Sequence, residues 1–286
     1  MKILFIGATG MLGQPVAREL LHQGFELSLL SRDESKAAAL FPGSKLVKGN
    51  VFDEKALEQA MQGMDAVYCN LSVEQSSKEK DPQAEREGVS NIIRAAKAAG
   101  IRRIIYLSSL VHKYEGMNGF HWWVFRVKAE AVQKIKASGI PYTIFYPSTF
   151  MECYPLQMMQ GKRVAMLGKS IAPMWFIAGE DYGKQVAASL RLLTAENREY
   201  NVQGHDPYTF AEGNRIFIGH YRKAKLSTLK APVGLMKFMG VFAPKFNYAW
   251  HICEALNNYP EKFESELTWK ELGEPGIRLP AYAASL

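Results

Sequence analysis

The 286 residues carry 35 Lys and Arg against 28 Asp and Glu, and 48% of them are hydrophobic, so the chain can bury a large core and disorder is excluded. Cys69, Cys153 and Cys253 are odd in number and far apart, which excludes a disulfide framework or a zinc spacing, and no metal is assigned. Met1-Lys2 leads straight into an apolar strand pattern without a signal-peptide core, and no run of about 18 uncharged apolar residues offers a transmembrane segment, so the expectation is a soluble, cytoplasmic protein.

In chain order, β-rich runs at 2–6, 26–30, 45–47, 66–70, 103–107 and 142–146 alternate with helical patterns near 11–23, 54–61, 84–99 and 121–138. Gly24, Gly63, Gly100 and Gly139 stand where helix C′ residues belong. Repeated β–α alternation predicts an α/β fold, a Rossmann-type doubly wound parallel sheet. After about residue 150 the rhythm breaks; one helix (180–194) and one strand (199–203) return to the sheet. Residues 1–150 are therefore expected to form a dinucleotide-binding core, and 151–286 a small C-terminal substrate-capping region.

The turn Gly7-Ala8-Thr9-Gly10-Met11-Leu12-Gly13 follows the first strand and opens the first helix. Glycines at that spacing permit a tight turn, close backbone approach to a pyrophosphate and close helix–strand packing. The second strand ends in Ser31-Arg32, not in an acid. A guanidinium there pairs with a ribose 2′-phosphate, so NADP(H) is favoured over NAD(H). Asp33 reads as the N-cap of the next helix.

With these features in order, the sequence resembles the atypical short-chain dehydrogenase/reductase superfamily, in particular its NmrA-like and isoflavone-reductase-like branch. The match runs through Gly49-Asn50-Val51-Phe52-Asp53, Ser108-Ser109, Lys128 and Tyr146-Pro147-Ser148-Thr149-Phe150, and covers about residues 1–205. The resemblance implies that Asn50 and Val51 border the adenine, and that Asn70, Leu71 and Ser72 run beside ribose and phosphates. It also implies that Ser108, Pro147, Ser148, Thr149 and Phe150 approach the nicotinamide, and that Lys128 contacts its ribose.

The standard Tyr-x-x-x-Lys pair of this superfamily is broken, because Val124 stands four residues before Lys128 and valine cannot transfer a proton. Three readings remain open. Lys128 is itself the acid or base, or only an anchor; another group such as His121, on the same helical face, or His112 or Tyr114 replaces the tyrosine; or nothing donates a proton. A quinone or conjugated carbonyl accepts hydride without a protein acid, so the expectation is an NADPH-dependent reductase of such an acceptor. The alternative is a non-catalytic NADP(H)-binding regulator, redox sensor or assembly factor.

Aromatic and Met-rich segments, among them His121-Trp122-Trp123, Phe125, Tyr154 and Met174-Trp175-Phe176, are expected to line a pocket for a small apolar substrate. Residues 213–253 carry seven basic side chains (Arg215, Arg222, Lys223, Lys225, Lys230, Lys237, Lys245) and no acid. A lid over the site, paired with the acidic Glu261, Glu264, Glu266, Glu271 and Glu274, is preferred here to a membrane-surface segment. No nucleic-acid-binding motif accompanies the charge.

Overall fold

The computed structural model describes residues 1–192 and 196–286. Six strands, β1 (Lys2–Ile6), β2 (Glu26–Ser31), β3 (Lys45–Lys48), β4 (Ala66–Cys69), β5 (Arg103–Leu107) and β6 (Tyr142–Pro147), lie at the predicted positions. Three short strands follow, β7 (Met159–Gln160), β8 (Arg163–Leu167) and β9 (Met174–Trp175), before β10 (Arg198–Val202) returns to the main sheet. Its order is β3-β2-β1-β4-β5-β6-β10, and every pairing is parallel. This is the doubly wound Rossmann sheet, with its strand order reversing between β1 and β4.

Both faces of the sheet are covered, which is why strands such as β5 and β6 are buried along their whole length and largely apolar. On one face α3 (Glu54–Met61), α4 (Val89–Ala98) and α5 (Trp123–Lys136) contribute Leu57, Ile92 and Val132 to a core with Leu4, Val67 and Ile104. On the other, α1 (Gly13–His22) and α6 (Gly179–Arg191) bury Val16, Leu20, Val186 and Leu190 against Phe5, Tyr68 and Phe145. Asp33 caps α2 (Glu34–Leu40) by accepting from the Lys36 backbone N–H at 2.9 Å. The helical pattern at 84–99 divides into a π-helical turn, Ala84–Gly88, and α4. Of the helix expected at 180–194, the last two positions lie outside the described residues.

The remaining C-terminal elements are β11 (Pro207–Tyr208), α7 (Phe210–His220), β12 (Ser227–Ala231), α8 (Val233–Phe242), α9 (Pro244–Asn258), α10 (Glu266–Leu272) and α11 (Leu279–Ser285). The aromatics expected in one pocket divide between two clusters. Tyr154, Met174 and Phe176 join Phe217 and Leu279 in a core of their own, whereas Trp122, Val124 and Phe125 pack beneath α9 around Ala255.

Among the described residues, Glu254 is the one acid of the 254–286 tail that pairs with the basic stretch, and the acids after it bond elsewhere. Glu261 accepts from Ser148 Oγ (2.9 Å) and Gln203 Nε2 (2.7 Å), Tyr200 donates to Glu271 (2.6 Å), and Glu264 lies 3.6 Å from Lys113. The tail is laced to the edge of the sheet because β10 and the residues after it offer polar partners there. Among the described residues, the ion pair formed from 213–253 is Lys237–Glu254, at 3.8 Å.

Two outcomes follow from this packing. A Cβ on Gly183 would lie 2.9 Å from Glu19 Cβ, so α1 and α6 approach as closely as glycine allows. Gly183→Val is expected to destabilise the fold by about 1–3 kcal/mol, read from the urea midpoint. Burial, opposed by the bonds from Gln203 and Ser148, pushes the Glu261 carboxyl from its ordinary 4.5 up to about 7. The folded state then holds that proton more tightly than the unfolded chain, so this group makes stability fall as pH rises through that window. Glu261→Gln is expected to flatten the stability–pH curve between about pH 5 and 7.

Candidate functional site

The glycine-rich turn leaves β1 at the point where the strand order reverses, and the chain after β4 runs beside it. Gly7 has φ +88°, and a Cβ there would lie 2.1 Å from the Asn70 carbonyl oxygen. A Cβ on Gly13 would lie 2.0 Å from the Gly7 carbonyl oxygen. Both positions therefore exclude any other residue. Asn70 Nδ2 donates to the Gly7 carbonyl at 3.3 Å and ties the two loops together. Gly10 is exposed and Thr9, Met11 and Leu12 are half-buried around the turn. The N-terminus of α1 carries no side-chain cap and no acid in its first turn. Its N–H groups are thus left for an anion, which the helix dipole favours.

Around this turn the other positions assigned to the cofactor fall at strand ends. Ser31 is buried with its hydroxyl engaged by the backbone of Asp33, which leaves Arg32, the residue after β2, as the exposed polar side chain there. The Arg32 guanidinium is exposed and spans to Glu74, 3.1 Å away on the loop after β4. Asn50 closes its own turn by accepting from the Phe52 N–H (2.7 Å), and Val51 is buried against α4, where Asn91 Nδ2 donates to its carbonyl. Leu71 is buried and Ser72 exposed.

The structure differentiates the positions at the ends of β5 and β6. Ser108 is buried and its Oγ has no hydrogen-bond partner, an orphaned polar atom of the kind a ligand satisfies. Pro147 is the last residue of β6. The side chains of Ser148, Thr149 and Phe150 are engaged within the protein. Ser148 bonds Glu261, Thr149 Oγ1 lies 3.0 Å from Met174 Sδ, and Phe150 packs on Tyr182 in the same cluster as Ala8. The glycine cradle, the uncapped helix and the orphaned Ser108 fit a dinucleotide laid across the strand ends.

Lys128 lies on α5 and donates to Glu85 Oε1 at 2.5 Å, while the Tyr106 hydroxyl donates to the same oxygen at 2.6 Å. Glu85 is wholly buried on the π-helical turn, and its second oxygen has no partner. The neighbour of Lys128 is therefore a carboxylate, not the positive charge that a lysine base requires, and the arrangement suits an anchor. Glu85 went unrecognised in the sequence because an acid within a helical pattern reads as a solvated charge. Burial of Tyr106, reinforced by Glu85, holds its phenol far above the ordinary range.

Val124 lines a cavity of about 730 Å³ between the start of α5 and the α8–α9 hairpin, together with Trp122, Trp123, Arg126, Tyr248 and His251. His121 stands at the rim, exposed, with Nδ1 3.1 Å from Glu115; it precedes α5, which begins at Trp123, and so does not share the helical face of Lys128. His112 Nδ1 donates to the Ser109 carbonyl, and burial lowers the affinity of the ring for a second proton. Tyr114 is buried against Phe120. Tyr248 enters the cavity wall from α9, its ring 4.9 Å from that of Trp122. Burial and the Glu85 charge push its phenol up to about 12. No motif marks Tyr248, which lies beyond the part of the chain that the resemblance covers.

The family model described as NAD(P)H-binding matches residues 7–161, more than half of the chain. A (4-alkanoyl-5-oxo-2,5-dihydrofuran-3-yl)methyl phosphate reductase of Streptomyces griseus is 30% identical over 73% of this chain and 70% of its own. Photosystem II assembly factor Ycf39 of Synechocystis is 24% identical over 90% of this chain and 78% of its own. Among solved structures, the NADPH-dependent quinone oxidoreductase of Escherichia coli, complexed with NADPH, superposes with a TM-score of 0.74 at 23% identity, covering 99% of this chain and 98% of its own. That likeness is one of fold. Sequence motif, cradle geometry and family match agree, and the chain belongs to the NAD(P)H-binding family, on a Rossmann-type sheet.

Proposed function

We propose that the protein binds NADP(H) at the glycine-rich turn and reduces a conjugated carbonyl or quinone-like acceptor held in the cavity beside Val124. In this reading residues 1–150, with 180–203, hold the dinucleotide, and 151–286 build the substrate side. When bound, the cofactor supplies a hydride. Two observations support the proposal: the Gly7–Gly13 cradle with the orphaned Ser108 Oγ at the strand ends, and a cavity whose α5 wall presents Val124, four residues before Lys128, where the resemblance implies a proton-donating tyrosine.

The chain's own contribution is then positioning. Arg32 meets the 2′-phosphate, for which it exchanges an exposed pair with Glu74 that is worth little in water. Lys128, held by buried Glu85, anchors the nicotinamide ribose. Trp123 and His251, the latter backed by the buried Trp122, border the space for a flat acceptor and exclude water. Tyr248, whose phenol stays neutral, offers a hydrogen bond to an oxygen on which negative charge develops. The Streptomyces relative is named for reducing a 5-oxo-2,5-dihydrofuran, a conjugated lactone, which supports an acceptor of this class. The similarity to Ycf39 favours a second reading, in which NADP(H) is bound without turnover by an assembly factor. Stopped-flow oxidation of bound NADPH by a panel of quinones and enones separates them: tight binding with no oxidation favours the second.

Arg32→Ala is expected to weaken NADPH at least tenfold while leaving NADH within about threefold, measured by fluorescence titration; a retained preference for NADPH removes Arg32 from the site. Tyr248→Phe is expected to lower kcat/KM for an enone by about tenfold with NADPH affinity unchanged. Lys128→Met leaves the Glu85 carboxylate buried without its partner and is expected to cost about 3–5 kcal/mol of stability, part of which Glu85→Gln in the same chain restores.

A further inference from the structure

The α8 helix turns an apolar face away from the protein. Leu235, Phe238, Val241 and Phe242 lie within about a third of its circumference at 3.6 residues per turn, and Phe238 and Val241 are 66% and 76% exposed. Only Gly240 is buried, its Cα against Asn247 and Trp250 of α9. Lys237, at the edge of that face, is drawn toward α9 by Glu254 and lies 4.8 Å from the Trp250 ring centroid, so it does not interrupt the apolar face. The Phe238 and Phe242 rings meet edge to face at 5.6 Å and project as one block.

The chain on either side of that face is cationic. Lys230 ends the approach to α8 along β12, and Lys245 follows α8 in the first turn of α9. Arg222, Lys223 and Lys225 precede β12. All five are exposed, and among the described residues none has an acid within ion-pair distance. No acid occurs anywhere in 213–253. A second copy of this face would bring the same cations together, and a nucleic acid would meet phenylalanines where bases and phosphates need polar partners. An apolar stripe bordered by uncompensated lysines matches the two layers of an anionic lipid surface, acyl chains beneath negatively charged headgroups. No helix among the described residues is long and apolar enough to cross a membrane, so the contact is one that lies on the surface.

We propose that α8 docks the protein on an anionic membrane, with Leu235 and Phe238 entering the headgroup–acyl boundary, Val241 and Phe242 meeting it at the cavity rim, and Lys230 and Lys245 pairing with lipid phosphates. Flotation of the full chain with vesicles of phosphatidylcholine containing about 30% phosphatidylglycerol tests it, against phosphatidylcholine alone and at about 0.5 M salt. The expected result is binding at least about tenfold stronger to the anionic vesicles and weakened by salt. The variant Leu235→Ser with Phe238→Ser, both exposed and outside the cavity wall, is expected to lose at least about tenfold in binding at an unchanged unfolding midpoint. No binding to anionic vesicles, binding undiminished in that variant, or a dimer in vesicle-free solution that the variant abolishes would each overturn the proposal.

Discussion

The candidate site depends on a backbone contact that no side chain can share. The Gly7 carbonyl sits where a Cβ of Gly13 would be, and the Asn70 carbonyl where a Cβ of Gly7 would be. Because three backbone segments meet at that distance, β1, the start of α1 and the loop after β4 are fixed relative to one another. The N–H groups of α1 and the Asn70 side chain then face the same crevice without any side chain having to position them. Asn70 reinforces the contact through its bond to the Gly7 carbonyl. Everything that recognises a dinucleotide in this reading, from Arg32 at the end of β2 to Ser108 at the end of β5, is arranged about that crevice.

The sheet was legible because its signals are local. Apolar runs of strand length, helical periodicity and a glycine closing each helix recur at short intervals, and Gly24, Gly63, Gly100 and Gly139 all have positive φ as helix-terminating residues. The glycine turn was legible for a related reason: Gly13 answers a steric demand made by the Gly7 carbonyl six residues away, although the demand on Gly7 comes from distant Asn70. The substrate side was not. Glu85 reaches Lys128 over 43 positions, and Tyr248 meets Trp122 over more than a hundred. Neither partner has a composition or spacing that announces the other. His121 shows the limit from the opposite direction, since its spacing to Lys128 suggested a shared face, yet the chain is extended at Trp122 and the helix starts after it.

The basic stretch divides its tasks between two helices. α9 covers Val124 and closes the cavity with Tyr248 and His251, while α8 rests on α9, brings Val241 and Phe242 to the cavity rim and leaves Leu235 and Phe238 outside. The acidic tail, which charge alone would assign to these lysines, is bonded instead to Ser148, Tyr200 and Gln203 along the edge strand. Opposite charges close in sequence need not meet. Hydrogen-bond partners at a sheet edge hold a carboxylate in a fixed geometry, whereas an exposed lysine offers little that water does not.

The position of β10 bears on how the chain emerges during synthesis. β6 becomes an interior strand only when β10 pairs with it, and about fifty residues separate the two. Until then the edge of β6, every residue of which is buried in the finished protein, is an unpaired apolar ribbon of the sort that recruits other strands. A product of synthesis interrupted before residue 198 would keep that ribbon open. The nascent protein is thus most vulnerable to aggregation after its dinucleotide-binding turn has formed, and that vulnerability ends with the arrival of one five-residue strand.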